Sequence, residues 1–163
     1  MLYPWLNDIY FKLIQQYQIN RGHHALLIYT KYGLRVDVLI WKISCWLMCS
    51  ASSKKLFNCG YCTNCKLMQT FNHPNWHKID IEPEKKTIGI EIIRHVCDKL
   101  YHKANISKAK IIWITQTNKL TEAAINTLLK ILEEPPNNTF FFYQLMKSVV
   151  YQWYCRAVVN IGE

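Results

Sequence analysis

The 163-residue sequence contains no apolar run of membrane-spanning length. Its longest candidate, "VDVLIWKISCWLMC" from Val36 to Cys49, is interrupted by Asp37 and Lys42 and falls short of the roughly 20 residues a spanning helix needs. The opening "MLYPWLNDIYFK" does not read as an export leader, since it has no basic stretch followed by a continuous apolar core. There is no internal repeat and no low-complexity tract, which leaves out solenoids and disordered chains. A soluble, cytoplasmic protein is therefore expected, folded as one domain around a core that half-apolar composition and six Trp can fill. In that compartment thiols stay reduced, so closely spaced cysteines read as metal ligands or redox groups rather than as a disulfide framework.

Acidic residues are few, 11 against 20 Lys and Arg, for a formal charge of +9. The excess is uneven: residues 1–60 carry +5, residues 61–110 carry +4, and residues 111–163 carry none. Lys outnumbers Arg 16 to 4, which favours weak, salt-sensitive phosphate attraction over bidentate recognition. The plainer reading of such a surface is a solvated lysine-rich face.

What is present is an alternation of apolar strands and helices. Strands are expected at His23–Thr30, His77–Glu82, Lys110–Thr115, Thr139–Leu145 and Arg156–Ile161. Between them the pattern predicts helices at Arg35–Cys49, Ile90–His102 and Thr121–Glu134, and a short one near Val149–Tyr154. In the Thr121–Glu134 segment Ala124, Leu128, Ile131 and Leu132 keep helical spacing, Thr121 is placed to cap, and Pro135 and Pro136 end the helix. This order predicts an α/β fold: a parallel sheet with helices on both faces, of the P-loop NTPase type, plus one insertion around the cysteines.

In such a fold the first strand-loop-helix holds a nucleotide's phosphates through G-x-x-x-x-G-K-[ST]. Here the loop reads "TKYGLRVD", which puts Thr30 at the first Gly, Arg35 at the last Gly, Val36 at the Lys and Asp37 at the hydroxyl, with Gly33 between. The third strand, which should end in an acidic pair for magnesium, ends in Thr115 and Gln116. Both halves of an ATP site are therefore degenerate, the alternative being a loop that was never a nucleotide site.

Several separated motifs occur in order: "YPWL" (3–6), "NRGHHALLI" (20–28), "CKLMQ" (65–69) and "LTEAAINTLLKILEEPPNNTFFF" (120–142). With them comes a run of cysteines, Cys49-x9-Cys59-x2-Cys62-x2-Cys65, followed by His73-Pro74. Together they make the chain resemble bacterial clamp-loader subunits of the AAA+ superfamily, from its start to about Tyr143. The lost phosphate loop is similar to that of the family's ATP-inert member. The resemblance implies an AAA+-like domain over 1–163 with a zinc module inserted at about 49–73, the family's lid and collar domains lying outside these residues. It further implies a structural zinc on Cys49, Cys59, Cys62 and Cys65. The chemistry agrees, because four thiolates close a tetrahedral site and can staple a segment too small to bury its own core. A redox C-x-x-C or core thiols are the alternatives. Cys45, one helical turn from Cys49, and His73 are the substitute ligands to weigh.

The function implied is that of an ATP-inert, stator-like subunit of the replicative polymerase's clamp loader. Its implied partners are the other loader subunits (delta, gamma/tau) and, through them, the sliding clamp and primed DNA. No residue presents itself as catalytic, and the holoenzyme's DNA-templated nucleotidyl transfer belongs to another subunit. The alternatives are a free-standing zinc-dependent nucleic-acid-binding module and a divergent ATPase. Glu133 and Glu134 are interface candidates, since two carboxylates at a helix C-terminus oppose its dipole; fixing the turn at Pro135 and Pro136, or plain solvated charge, are the alternatives. In the family a Ser-Arg-Cys motif supplies an arginine finger after the "FFF" strand. The matching residues here are Trp153, Tyr154 and Cys155, with Arg156 two positions past the finger.

Overall fold

The computed structural model describes residues 3–30, 33–52, 55–101 and 109–146, together with the backbone of 157–161. Its centre is a five-stranded sheet: β1 (Ala25–Thr30), β2 (Trp76–Ile79), β3 (Lys110–Ile114), β4 (Thr139–Met146) and β5 (Ala157–Ile161). The spatial order is β2-β3-β4-β1-β5 and every pairing is parallel. All five lie within or close to the expected segments, and the parallel sheet covered on both faces is as the alternation predicts.

Among the described residues there are five α-helices: α1 (Pro4–Gln18), α2 (Val36–Met48), α3 (Thr63–Gln69), α4 (Ile90–Tyr101) and α5 (Glu122–Glu133). Alternate strand residues divide the core in two. Leu26, Ile28, Ile111, Trp113 and Phe142 pack with α1 and α2, while Leu27, Ile112, Ile114, Phe141 and Tyr143 pack with α4 and α5. That two-sided burial explains the near-continuous apolar strands, because each residue of a central parallel strand meets a helix layer. In α5 the Thr121 side chain accepts a hydrogen bond from the Ala124 N–H at 3.3 Å, the cap expected of it.

Two helices were not anticipated from sequence. Helix α1 carries Pro at its start, has no side-chain cap, and buries Leu6, Tyr10, Leu13, Ile14 and Tyr17 along one face. Helix α3 is seven residues long and is capped by a cysteine, as described below. The short helix expected near Val149–Tyr154 lies outside the described residues.

Candidate metal centre and phosphate loop

Helix α2 ends at Met48, and Cys49 follows in extended backbone, its sulfur turned toward the segment that returns before α3. Gly60, at φ 79°, makes the tight turn between Cys59 and Cys62, a left-handed conformation that glycine adopts without steric cost. Cys62 is the N-cap of α3, accepting a hydrogen bond from the Cys65 N–H at 3.4 Å. Thus the end of α2 sets Cys49, the glycine turn Cys59, and the start of α3 both Cys62 and Cys65.

The sulfurs of Cys49, Cys59, Cys62 and Cys65 all lie within 4.8 Å of one another, and those of Cys59 and Cys65 are 3.9 Å apart. A tetrahedron with metal–sulfur bonds of about 2.3 Å has sulfur–sulfur edges of about 3.8 Å, so this set fits a zinc-like ion. Backbone N–H groups point at the sulfurs: Cys59 and Ala51 donate to Cys49, at 3.3 and 3.4 Å, and Cys62 donates to Cys59 at 3.4 Å. Asn58 Nδ2 lies 3.5 Å from the Cys65 sulfur. At Cys62 burial pushes the thiol up, but the N–H groups of Ser50 and Cys65 and the neighbouring sulfurs outweigh it and bring it down to about 6. Burial pushes Cys65 up to about 12. Cys59 is lowered as well, burial being outweighed by N–H groups that point at its sulfur, and burial raises Cys49, so thiolates are favoured beside thiols that resist ionising, a conflict that a divalent cation would remove.

The two substitute ligands are elsewhere. Cys45 is buried in the core with α1 and α2, where burial pushes its thiol up to about 11, and it is not among the clustered sulfurs. His73 is buried and engaged on both ring nitrogens. Nδ1 accepts from the Asn75 N–H at 3.1 Å, so Nε2, 3.4 Å from Asn64 Oδ1, carries the proton. Asn64 in turn donates to the Met48 carbonyl at 3.0 Å, and the Asn75 carbonyl accepts from Ile111 N–H at 2.8 Å. His73 therefore ties the cysteine module to α2 and β3. Sequence reasoning missed Asn64, whose only signal is its place between two ligands.

At the phosphate loop, Thr30 is buried at the end of β1. Gly33 has φ 90°, and Arg35 holds a left-handed conformation at φ 53° just before α2. Val36 is 1% exposed and packs into the core, so the position expected to carry a lysine presents no charge. Asp37 stands in the first turn of α2, where a carboxylate satisfies the positive end of the helix dipole, and pairs with Arg35 Nε at 3.7 Å. Across the sheet Thr115 hydrogen-bonds the Ile79 carbonyl and the Asp80 carboxylate, while Gln116 precedes a 3-10 turn at Thr117–Lys119. The acid at this end of the sheet, Asp80, follows β2 rather than β3 and is paired with Lys78.

Glu133 and Glu134 are exposed at the end of α5, and no ion pair engages either among the described residues. Tyr154 and Arg156 lie outside the described residues, so the fold gives no position for their side chains. No helix among the described residues is long and apolar enough to cross a membrane.

Residues 5–148 match the family model described as "DNA polymerase III, delta subunit". A DNA polymerase III subunit delta' from Yersinia pestis is 41% identical, over 93% of this chain and 47% of its own. One from Buchnera aphidicola of Acyrthosiphon pisum is 46% identical, over 91% of this chain and 45% of its own. The chain thus spans about half the length of these relatives. Among solved structures, a gamma subunit-related protein of DNA polymerase III from Thermotoga maritima superposes with a TM-score of 0.55 at 16% identity, covering 93% of this chain and 46% of that one. That likeness is one of fold.

Proposed function

The chain belongs to the family of DNA polymerase III delta' subunits, and from that premise we propose that it serves the clamp loader as a subunit that does not use ATP. It works as a stator-like partner while neighbouring subunits (delta, gamma/tau) bind and hydrolyse ATP to open the sliding clamp for primed DNA. The observation that carries this reading is the pair at the start of α2. Val36 is buried where a phosphate-binding lysine is required, and Asp37 occupies the helix N-terminus with its own carboxylate. A phosphate brought there would meet like charge and no lysine.

The zinc belongs to the same reading. Cys49, Cys59, Cys62 and Cys65 would hold it, and with four protein ligands it keeps no open position for water, so its role is to fix the module at 49–73. Outside these residues a lid and a collar domain complete the family's subunit. Tyr154, at the arginine-finger position, is neutral and gives a neighbour's ATP site no guanidinium to stabilise the transferring phosphoryl group.

The test mixes the chain with an active gamma/tau ATPase and delta. The expected result is that the chain joins the complex, with little stimulation of hydrolysis from it, and that Tyr154→Arg raises the rate more than Arg156→Ala lowers it. Failure to associate would overturn the assignment to the loader. Strong stimulation lost in Arg156→Ala would make Arg156 the finger.

A further inference from the structure

Helix α3 ends in a turn whose hydrogen bonds run from the Phe71 N–H to the Met68 carbonyl at 3.0 Å and from the Asn72 N–H to the Leu67 carbonyl at 3.1 Å. This is the six-to-one and five-to-two pattern of a Schellman end, which places the residue after the C-cap in the left-handed region. Glycine is the usual occupant of that place. Here it is Phe71, at φ 56°, with 65% of its surface exposed. A bulky side chain is held in strained backbone and shown to solvent, a combination that folding alone does not favour and that clusters at functional positions.

The ring is not isolated. Phe71 stacks on Trp41 of α2 at 4.5 Å, Trp41 meets Trp76 of β2 at 5.0 Å, and Trp76 meets Trp113 of β3 at 6.2 Å, under the Lys78 ammonium 5.0 Å from the Trp113 ring. Trp41 thus backs the exposed ring, with Trp76 6.3 Å from it and Trp113 packed behind Trp76. The strand at this side, β2, is the edge of the sheet.

The sequence that carries the ring is rich in charge of one sign. From Val38 to Ile79, 42 residues, the sequence has no Asp or Glu and five Lys. A divalent ion on four thiolates adds two negative charges and still leaves the stretch net positive. Lys78 is paired with Asp80, but Lys42, next to Trp41, and Lys66, in the last turn of α3, have no ion-pair partner among the described residues.

We propose that Phe71, backed by Trp41 and carried in this lysine-rich stretch with Lys42 and Lys66, is a stacking platform for single-stranded nucleic acid. An anionic backbone answers the lysines, and an unpaired base answers the exposed ring, the two needs that a single strand meets together and that a duplex, with its bases already stacked, does not. This surface is independent of the ATP-inert role proposed above.

The test follows anisotropy of a labelled 20-nucleotide oligo(dT) at low salt, beside an abasic strand of equal length that has the phosphates without the bases. The chain should bind oligo(dT) at least about 5-fold more tightly than the abasic strand, from the range of base-on-aromatic stacking. Phe71→Gly, which suits the turn's backbone better than Phe, should keep its circular dichroism and metal content yet bind both strands equally. Lys66→Ala should weaken both and reduce the log–log salt slope by about 0.7. Absence of oligo(dT) binding, equal affinity of the wild-type chain for the two strands, or an unaltered preference in Phe71→Gly would each overturn the proposal.

Discussion

His77 stands on β2 on the side that faces α4, where burial first, and then the positive charges of Lys99, His95 and His73, bring its pKa down to about 4. Burial lowers His73 in the same direction. In the unfolded chain a histidine protonates near pH 6.5. Between those values the unfolded state binds the extra proton, so stability falls as pH falls from about 6.5 toward 4. We expect the urea midpoint to drop across that window and His77→Asn to flatten the dependence, leaving the share due to His73. A variant with the wild-type slope would place the titration elsewhere. The same scale shows where backbone strain collects. Among the described residues four that are not glycine are left-handed: Asn20, Arg35, Phe71 and Asn138. Asparagine tolerates this region, whereas Arg35 and Phe71 cost on the order of 1 to 2 kcal/mol each.

At the scale of elements, the cysteine module owes its shape to a few anchors outside its own small interior. Tyr10 and Trp46 donate to the Leu56 and Lys55 carbonyls at 2.9 and 2.8 Å, and Asn64 and His73 fix the other side. The sulfurs complete the set. Protein purified without added metal should carry about one zinc per chain. Cys62→Ser should lose it and expose the module to protease, while Cys97→Ser, in the opposite core, should retain it. Full metal content in Cys62→Ser would sink the ligand set. Helix α5 ends on two carboxylates that oppose its dipole at roughly 0.3 to 1 kcal/mol each, with only Lys130 basic in its last turn. Gln at both Glu133 and Glu134 should therefore leave stability unchanged or slightly raised and weaken association with the loader subunits proposed as partners by a few fold in a binding titration. Unchanged association would reduce the pair to solvated charge.

For the whole molecule, what the sequence made legible is what depends on local pattern. Apolar runs such as "KIIWIT" and "TFFFYQL" announce buried parallel strands, and Thr121 with Pro135 brackets α5, because those signals lie within one element. The cysteine spacing likewise pointed to the sulfurs that the fold draws together. Helix α1 was not legible, since "PWLNDIYFKLIQQYQ" has no capping side chain and mixes aromatic and polar residues; its helical face becomes clear only against α2. Phe71 was not legible either, because its meaning comes from Trp41 and Trp76, distant in sequence and joined by folding. The loop between β1 and α2 lies between these cases: its missing residues could be read directly, but the burial of Val36 and the left-handed Arg35 required the fold.

That loop is also where the central claim is most exposed. Equilibrium titration with a fluorescent ATP analogue, with and without magnesium, measures it directly. No saturable binding is expected at micromolar concentrations under either condition, because on the reading proposed above Val36 and Asp37 take the places of the phosphate-binding pair and Thr115 and Gln116 those of the magnesium acids. Tight, magnesium-dependent binding would contradict it and make the chain an ATPase of divergent loop.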